Sequence, residues 1–277
     1  MQNKRSQAEL VAEDYYDSSD ADNFYELVWG GEDIHVGLYF EDIPVLEASR
    51  KTVEVMAEQL EPVDPDSAII DLGAGYGGSA RYLAKKYGCE VSCLNISEVQ
   101  NDNNRRQNQE QGLEHKIDVL HGSFEDIPCK NESMDIIWSQ DSFLHSGNRV
   151  QVINEIDRIL KPGGEVIFTD PMQIDDCPEG VLQPVYDRLN LQSMGSIAFY
   201  RKELNERGFE VIRITEMTPQ LRNHYSAVKK VLEDQYEKLS TSISTAYLDN
   251  MITGLENWVK AADSGYLSWG ILHFRKQ

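Results

Sequence analysis

The sequence predicts a doubly wound α/β sandwich with a seven-stranded sheet, whose strands between residues 66 and 170 are parallel. Short β-rich runs alternate with helical stretches between residues 66 and 170, which is typical of parallel strands joined by crossover helices. A glycine-rich turn lies between the first of these strands and the helix that follows it. The length of 277 residues suits one large domain with an appended cap.

The elements follow in order along the chain. An N-terminal segment rich in aromatic and acidic residues, ending in a helical run over 44–60, predicts a helical lid at 1–60, ahead of a main domain at 61–277. Strands are predicted at 67–72, 90–95, 116–120, 134–139, 165–170, 209–215 and 267–274, and helices at 78–87, 97–111 and 149–160. Helical stretches also fill 171 to about 207 and form a late insertion at about 218–264.

Two boundaries have chemical causes. Ser97 and Gln100 have the spacing of a capping box, which starts a helix. The apolar stripe of the helix at 149–160 has helical spacing, and the Lys-Pro-Gly-Gly sequence at 161–164 predicts its end.

Composition excludes several classes of partner. The chain has 47 acidic and 26 basic residues and a formal net charge of -21, the wrong sign for binding nucleic acid or an anionic membrane. Its four cysteines lack metal-site or disulfide-framework spacing, and its apolar runs are too short for a bilayer. We therefore expect a cytoplasmic monomer or homodimer without a metal ion.

The densest motif is the glycine turn after the first strand. Asp71 ends the strand, and Gly73, Ala74, Gly75 and Gly77 follow it. Glycines allow a ligand to approach the backbone closely. The turn also satisfies the G-x-G-x-x-G pattern of dinucleotide enzymes, but an aspartate at the strand end suits a ligand with an ammonium group better than a pyrophosphate.

This D-x-G-x-G-x-G turn resembles the first motif of S-adenosylmethionine methyltransferases, and the Leu-Lys-Pro-Gly-Gly sequence at 160–164 resembles a later one. The resemblance implies a Rossmann-like methyltransferase sandwich that binds S-adenosylmethionine. A nicotinamide-dependent oxidoreductase and a cofactor-binding module without catalysis remain as alternatives from other classes.

The resemblance also suggests how the rest of the cofactor is held. Asn95 stands where an acid usually binds the ribose, and the stretch with Ile96 and Gln100 resembles small-molecule methyltransferases related to cyclopropane synthases. The loop after the third strand resembles an adenine-binding stretch, and Gln140 lies at the end of the fourth strand. The residues of the adenine-binding loop are Ser123, Phe124 and Glu125, with Asp126 competing with Glu125 as the adenine acceptor.

Asp141 and His145 follow the fourth strand, at the edge of the sheet where doubly wound folds keep their chemistry. They lie four residues apart. On one helical turn, the carboxylate would orient the imidazole and stabilise its protonated form.

Residues 25–39 closely resemble the lid of the betaine-synthesis N-methyltransferases, which act on glycine, sarcosine and dimethylglycine, and 268–272 resemble their closing strand. A looser likeness to phosphoethanolamine methyltransferases, in which a lid tyrosine meets a histidine, implies Tyr25, Asp141 and His145 as catalytic residues. Aromatic faces suit a quaternary ammonium product, and donors suit a carboxylate. The expected substrate-binding residues are Trp29, His35, Tyr39, Arg222, His224 and Tyr225.

The implied activity is methyl transfer from S-adenosylmethionine to sarcosine and dimethylglycine, which gives glycine betaine. A phosphoethanolamine-type methyltransferase is one alternative, although its phosphate would require more cationic residues than the lid carries. A C-methyltransferase of a quinone or lipid is another, favoured if the pocket is long and apolar.

Overall fold

A seven-stranded sheet forms the centre of the fold, as predicted. The computed structural model describes residues 6–60 and 62–277, so residues 1–5 of the predicted lid and Glu61 lie outside the described residues. The strands are β1 (Ala68–Leu72), β2 (Glu90–Asn95), β3 (Ile117–His121), β4 (Met134–Gln140), β5 (Leu160–Gln173), β6 (Phe209–Glu216) and β7 (Leu267–Lys276). Their order in the sheet is β3-β2-β1-β4-β5-β7-β6.

Helices cover both faces of the sheet and form the lid. They are α1 (Gln7–Tyr16), α2 (Ser19–Phe24), α3 (Val45–Ala57), α4 (Gly78–Tyr87), α5 (Glu98–Glu110), α6 (Arg149–Ile159), α7 (Gln183–Leu189), α8 (Ile197–Asn205), α9 (Thr218–Asp234), α10 (Tyr236–Leu239) and α11 (Thr245–Asp263). A π-helical turn over Tyr25–Trp29 continues α2. None of the helices in the described part of the chain has the length and apolar character needed to cross a membrane.

The closing strand β7 runs against the parallel strands of the sheet, a direction that the sequence did not predict. β1 to β5 pair in parallel, but β7 lies between β5 and β6 and is antiparallel to both. The reason is the insertion: α9 and α11 pack along one another, so the chain returns to the edge where β6 ended. The strand order reverses between β1 and β4, where doubly wound folds bind ligands.

Two predicted helix boundaries are present, but the contacts found at them differ from the predicted ones. Ser97 Oγ accepts a hydrogen bond from Gln100 N at 3.1 Å, but Gln100 Oε1 accepts from Asn95 Nδ2 at 3.0 Å instead of completing the capping box. The sequence at 161–164 does end α6, yet it lies within β5, whose register against β4 shifts there.

A buried polar layer lies between α4 and α5. Arg81, 1% exposed, donates from Nη1 to Asn108 Oδ1 at 3.1 Å and from Nη2 to Gln107 Oε1 at 2.8 Å. Its Nε pairs with Glu32 of the lid at 3.1 Å, and Gln107 Nε2 donates to Gly31 O at 2.8 Å. The Asn- and Gln-rich α5 therefore supplies hydrogen-bond acceptors to a buried arginine and a hydrogen-bond donor to the lid.

Candidate active site

The turn between β1 and α4 brings three glycines to the carboxyl edge of the sheet. Gly73, Gly75 and Gly77 have φ angles of +77°, +52° and +77°, in the left-handed region that favours glycine. Gly73 N donates to Leu94 O at 2.8 Å. A Cβ atom at Gly73 would overlap the side chain of Ser142, so glycine is what allows the turn and the loop after β4 to approach.

A cavity of about 650 Å³ opens above this turn; we call it the cofactor cavity. It contains eight of the predicted cofactor-binding residues, whereas Asp71 and Ala74 line an adjoining cavity. Its walls are formed by the lid and the ends of four strands, through Glu9, Ala12, Tyr16, Ile34, Gly73, Gly75, Asn95, Ile96, Gln100, Gly122, Ser123, Phe124, Gln140, Asp141, Ser142 and His145.

Asn95 and Gln100 act as a pair in this wall. Because Asn95 Nδ2 donates to Gln100 Oε1, Asn95 offers its carbonyl oxygen as an acceptor. Gln100 Nε2 is buried and has no hydrogen-bond partner among the described residues, so it offers a donor. An acceptor beside a donor matches two neighbouring hydroxyl groups.

The adenine acceptors expected after β3 are not found on the cavity. Neither Glu125 nor Asp126 belongs to the described lining. Glu125 Oε1 instead accepts from Ser146 Oγ at 2.7 Å and from Asn148 N at 3.0 Å. These two hydrogen bonds connect the loop after β3 to the start of α6. Of the predicted residues in this loop, Ser123 and Phe124 line the cavity, and Phe124 is the apolar one.

The adjoining cavity, of about 290 Å³, is acidic. Burial, together with the nearby charge of Asp33, raises the pKa of Asp71 to about 8. Burial also raises the pKa of Asp33 to about 6, although Arg50 Nε lies 2.7 Å from Asp33 Oδ2. A cationic ligand group here would stabilise the ionised form of Asp71.

The predicted pairing of Asp141 with His145 is wrong. Asp141 has a φ of +52° and is therefore not on a helical turn with His145. Its Oδ2 accepts from Val36 N of the lid at 2.7 Å, and its Oδ1 accepts from Trp269 Nε1 of β7 at 2.8 Å. Asp141 thus fastens the lid and the closing strand to the end of β4.

His145 contacts a tyrosine of the lid, but not the predicted one. Its Nε2 lies 3.0 Å from the hydroxyl of Tyr16, whereas the hydroxyl of Tyr25 lies 3.4 Å from that of Tyr15. Burial, with the positive charges of Arg149 and Arg188 nearby, lowers the pKa of His145 to about 4. The imidazole is therefore neutral at pH 7 and keeps a lone pair.

A cavity of about 400 Å³ lies on the far side of His145; we call it the aromatic cavity. Tyr25, Trp29 and His35 of the predicted site line it, together with Tyr225. It shares four residues with the cofactor cavity, and these mark the place where the two cavities meet: Tyr16, Ile34, Asp141 and His145.

Three other predicted substrate contacts lie elsewhere. Arg222 is on the surface and pairs with Asp263 at 3.1 Å, because its position on α9 faces solvent. His224 is buried, and its Nδ1 accepts from Gly37 N at 3.0 Å and lies 3.0 Å from the Tyr39 hydroxyl. His224 and Tyr39 therefore join the insertion to the lid.

Among the residues of the aromatic cavity that sequence reasoning missed, two have polar side chains, Tyr16 and Arg188. Tyr16 is among the aromatic residues of the lid segment, and only its fold-dependent contact with His145 distinguishes it from its neighbours. Arg188 lines the cavity from α7 in a stretch that carries no motif, so no local signal separates it from a solvated helix-end arginine.

Comparison with known proteins gives a consistent result. Residues 70–168 match the family model described as a methyltransferase domain. The chain is 52% identical over 271 residues to sarcosine/dimethylglycine N-methyltransferase of Halorhodospira halochloris, covering 98% of this chain and 97% of that one. It is 54% identical over 266 residues to the protein of the same name from Aphanothece halophytica, covering 96% of each.

A solved structure agrees with these relatives. A crystal structure from Galdieria sulphuraria, provisionally described as a sarcosine dimethylglycine methyltransferase, superposes with a TM-score of 0.90 at 43% identity and covers 95% of this chain and 99% of that one. A Mycobacterium tuberculosis cyclopropane synthase, at 17% identity and a TM-score of 0.88, shares the fold. The chain is a methyltransferase and belongs to the sarcosine/dimethylglycine N-methyltransferase family.

Proposed function

We propose that the protein transfers methyl groups from S-adenosylmethionine to the amine nitrogen of sarcosine and dimethylglycine, with glycine betaine as the final product. One observation carries the proposal beyond family membership: the cofactor cavity of about 650 Å³ meets the aromatic cavity of about 400 Å³ at His145. A cofactor on one side and an amine on the other would face each other there.

The residues of the cofactor cavity fit S-adenosylmethionine, which supplies an electrophilic methyl group on a sulfonium. Asn95 and Gln100 suit the ribose hydroxyls, and Phe124 suits the adenine ring. Asp71, in the adjoining acidic cavity, suits the ammonium group of the methionine portion. Gln140 Nε2 is a further buried donor without a partner in the described part of the chain. Its amide lies where the cofactor cavity and the acidic cavity meet.

The aromatic cavity fits a methylated amine. Tyr16, Tyr25 and Trp29 line it, and the face of an aromatic ring attracts a cation without needing a hydrogen-bond donor from it. A protonated amine must lose its proton before its lone pair attacks a methyl group. Neutral His145 is the proton acceptor that the geometry offers.

The charge of the aromatic cavity favours a carboxylate over a phosphate. Arg188 is the one lysine or arginine in its described lining. A phosphate dianion, as in phosphoethanolamine, would require more positive charge. This observation favours an amino acid substrate over the phosphobase alternative.

An acceptor panel tests the proposed function. With labelled S-adenosylmethionine, we expect turnover of sarcosine and dimethylglycine and little turnover of glycine, phosphoethanolamine or quinones. The order of rates is measured at one saturating cofactor concentration. A panel in which phosphoethanolamine is the best acceptor would contradict the assignment.

The raised pKa of Asp71 makes cofactor affinity depend on pH. Because the ligand ammonium requires the ionised carboxylate and the pKa is about 8, affinity for S-adenosylhomocysteine should increase on the order of tenfold from pH 6.5 to 8.5. Calorimetry at the two pH values measures this. Asp71→Asn should abolish the increase, and Asp66→Asn, at an exposed site, should keep it.

The same pKa predicts an opposite effect on the cofactor-free protein. A folded-state pKa above the unfolded value of about 3.9 means that Asp71 favours folding at low pH, and that this contribution is lost as the pH rises through about 8. Asp71→Asn should therefore raise the Tm of the free protein at pH 8.5. If Asp71→Asn leaves the pH dependence of S-adenosylhomocysteine affinity and the Tm of the free protein unchanged, Asp71 is not the titrating group.

A further inference from the structure

Arg188 lies on the wall of the aromatic cavity, and in the described part of the chain it forms no ion pair with a carboxylate. Its Nε and Nη1 atoms are buried and make no hydrogen bond within residues 6–60 and 62–277. An isolated buried charge is unfavourable unless a group of opposite charge pairs with it. An arginine held in this way is therefore suited to an anion that arrives with a ligand.

The described residues around Arg188 do not neutralise its positive charge. The ring of Tyr225 lies against the guanidinium, 5.5 Å from its Cζ atom. Burial raises the pKa of Tyr225 and of Tyr25 above the usual tyrosine range, so both phenols are neutral. Asp141, the one acid in the described lining of the cavity, already has its two oxygens bonded to Val36 and Trp269.

Gly254 leaves room for the side chain of Arg188. Gly254 lies inside α11, where a glycine lowers helix stability relative to alanine. A Cβ atom there would meet Cδ of Arg188 at 2.6 Å and Cγ at 2.9 Å. The stem of Arg188 thus occupies the space that a side chain at position 254 would fill.

We infer that Arg188 binds the carboxylate of the substrate and that Gly254 positions Arg188 for this role. A guanidinium binds a carboxylate through two parallel hydrogen bonds, and the rest of a small amino acid would then lie among the aromatic rings, with its amine toward His145. The inference rests on the proposed function and adds to it the group that selects an amino acid over a plain amine.

The test compares dimethylglycine with its neutral amide, dimethylglycinamide, as methyl acceptors. Arg188→Met should raise KM for dimethylglycine about 100-fold, the effect of removing one partner of a buried charge pair, and leave KM for the amide nearly unchanged. Arg188→Lys should recover part of the difference. Arg222→Met, which removes a surface arginine paired with Asp263, is the matched control and should behave as wild type.

Gly254→Ala provides a second variant that retains every charge. Because it displaces the stem of Arg188, KM should rise for dimethylglycine and not for the amide, while the Tm shift caused by S-adenosylhomocysteine stays the same. If the wild-type enzyme methylates dimethylglycine, but Arg188→Met and Gly254→Ala keep the wild-type preference for the acid over the amide, the inference alone is overturned. Wild-type enzyme inactive on sarcosine and dimethylglycine would overturn the proposed function and the inference with it.

Discussion

Replacing His145 with alanine is expected to lower kcat for dimethylglycine by roughly 100-fold or more, the usual share of a general base. His145 lies where the cofactor cavity and the aromatic cavity meet, and its pKa of about 4 keeps it neutral at working pH. Steady-state kinetics measure the loss. Affinity for S-adenosylhomocysteine should change little, and full turnover by the variant would exclude His145 from the mechanism.

The tyrosine contacts supply a matched pair of controls for this experiment. The hydroxyl of Tyr16 lies 3.0 Å from His145 Nε2, so Tyr16→Phe should lower kcat. Tyr25 directs its hydroxyl to Tyr15, so Tyr25→Phe, which keeps the ring face, should have the smaller effect. A larger loss from Tyr25→Phe would favour the tyrosine that the sequence resemblance implies.

Replacing Gly73 with alanine is expected to weaken the binding of S-adenosylhomocysteine by at least about 100-fold. A left-handed conformation costs roughly 1–2 kcal/mol for a residue with a Cβ atom, and at Gly73 this atom would also overlap Ser142. The turn and the loop after β4 would have to separate, which deforms the cofactor cavity. Calorimetric titration gives the change in Kd.

Gly112→Ala is the control for backbone strain alone. Gly112 has a φ of +67° and no atom within 4 Å of the position of an added Cβ, so it carries the left-handed cost without the overlap. It should lower Tm slightly and leave Kd unchanged. If both variants bind equally tightly, the close approach of Gly73 to Ser142 is not required for cofactor binding.

Much of the fold could be predicted from the sequence because its signals are local. Strand and helix periodicity located all seven strands, and the glycine turn located the carboxyl edge of the sheet. The direction of β7 could not be predicted in this way, since it depends on how α9 and α11 pack together. The incomplete capping box at Ser97 has a similar origin, because Gln100 instead bonds to Asn95.

The candidate site shows the same division. Gly73, Asn95 and Phe124 lie at or just after the ends of strands, and short motifs predicted them as cofactor-binding residues; all three line the cofactor cavity. Asp141 and Arg188 depend on contacts between distant parts of the chain: Asp141 with the lid and β7, Arg188 with α11. Spacing along the sequence carries no signal for such contacts.

The position of β7 has a consequence for the order of events during synthesis. β7 follows every other strand in the chain, yet it lies inside the sheet between β5 and β6, and its Trp269 holds Asp141. Until β7 has been synthesised, β5 and β6 lack the strand that lies between them, and Asp141 lacks its Trp269 partner. We therefore expect a chain that ends before β7 to be inactive.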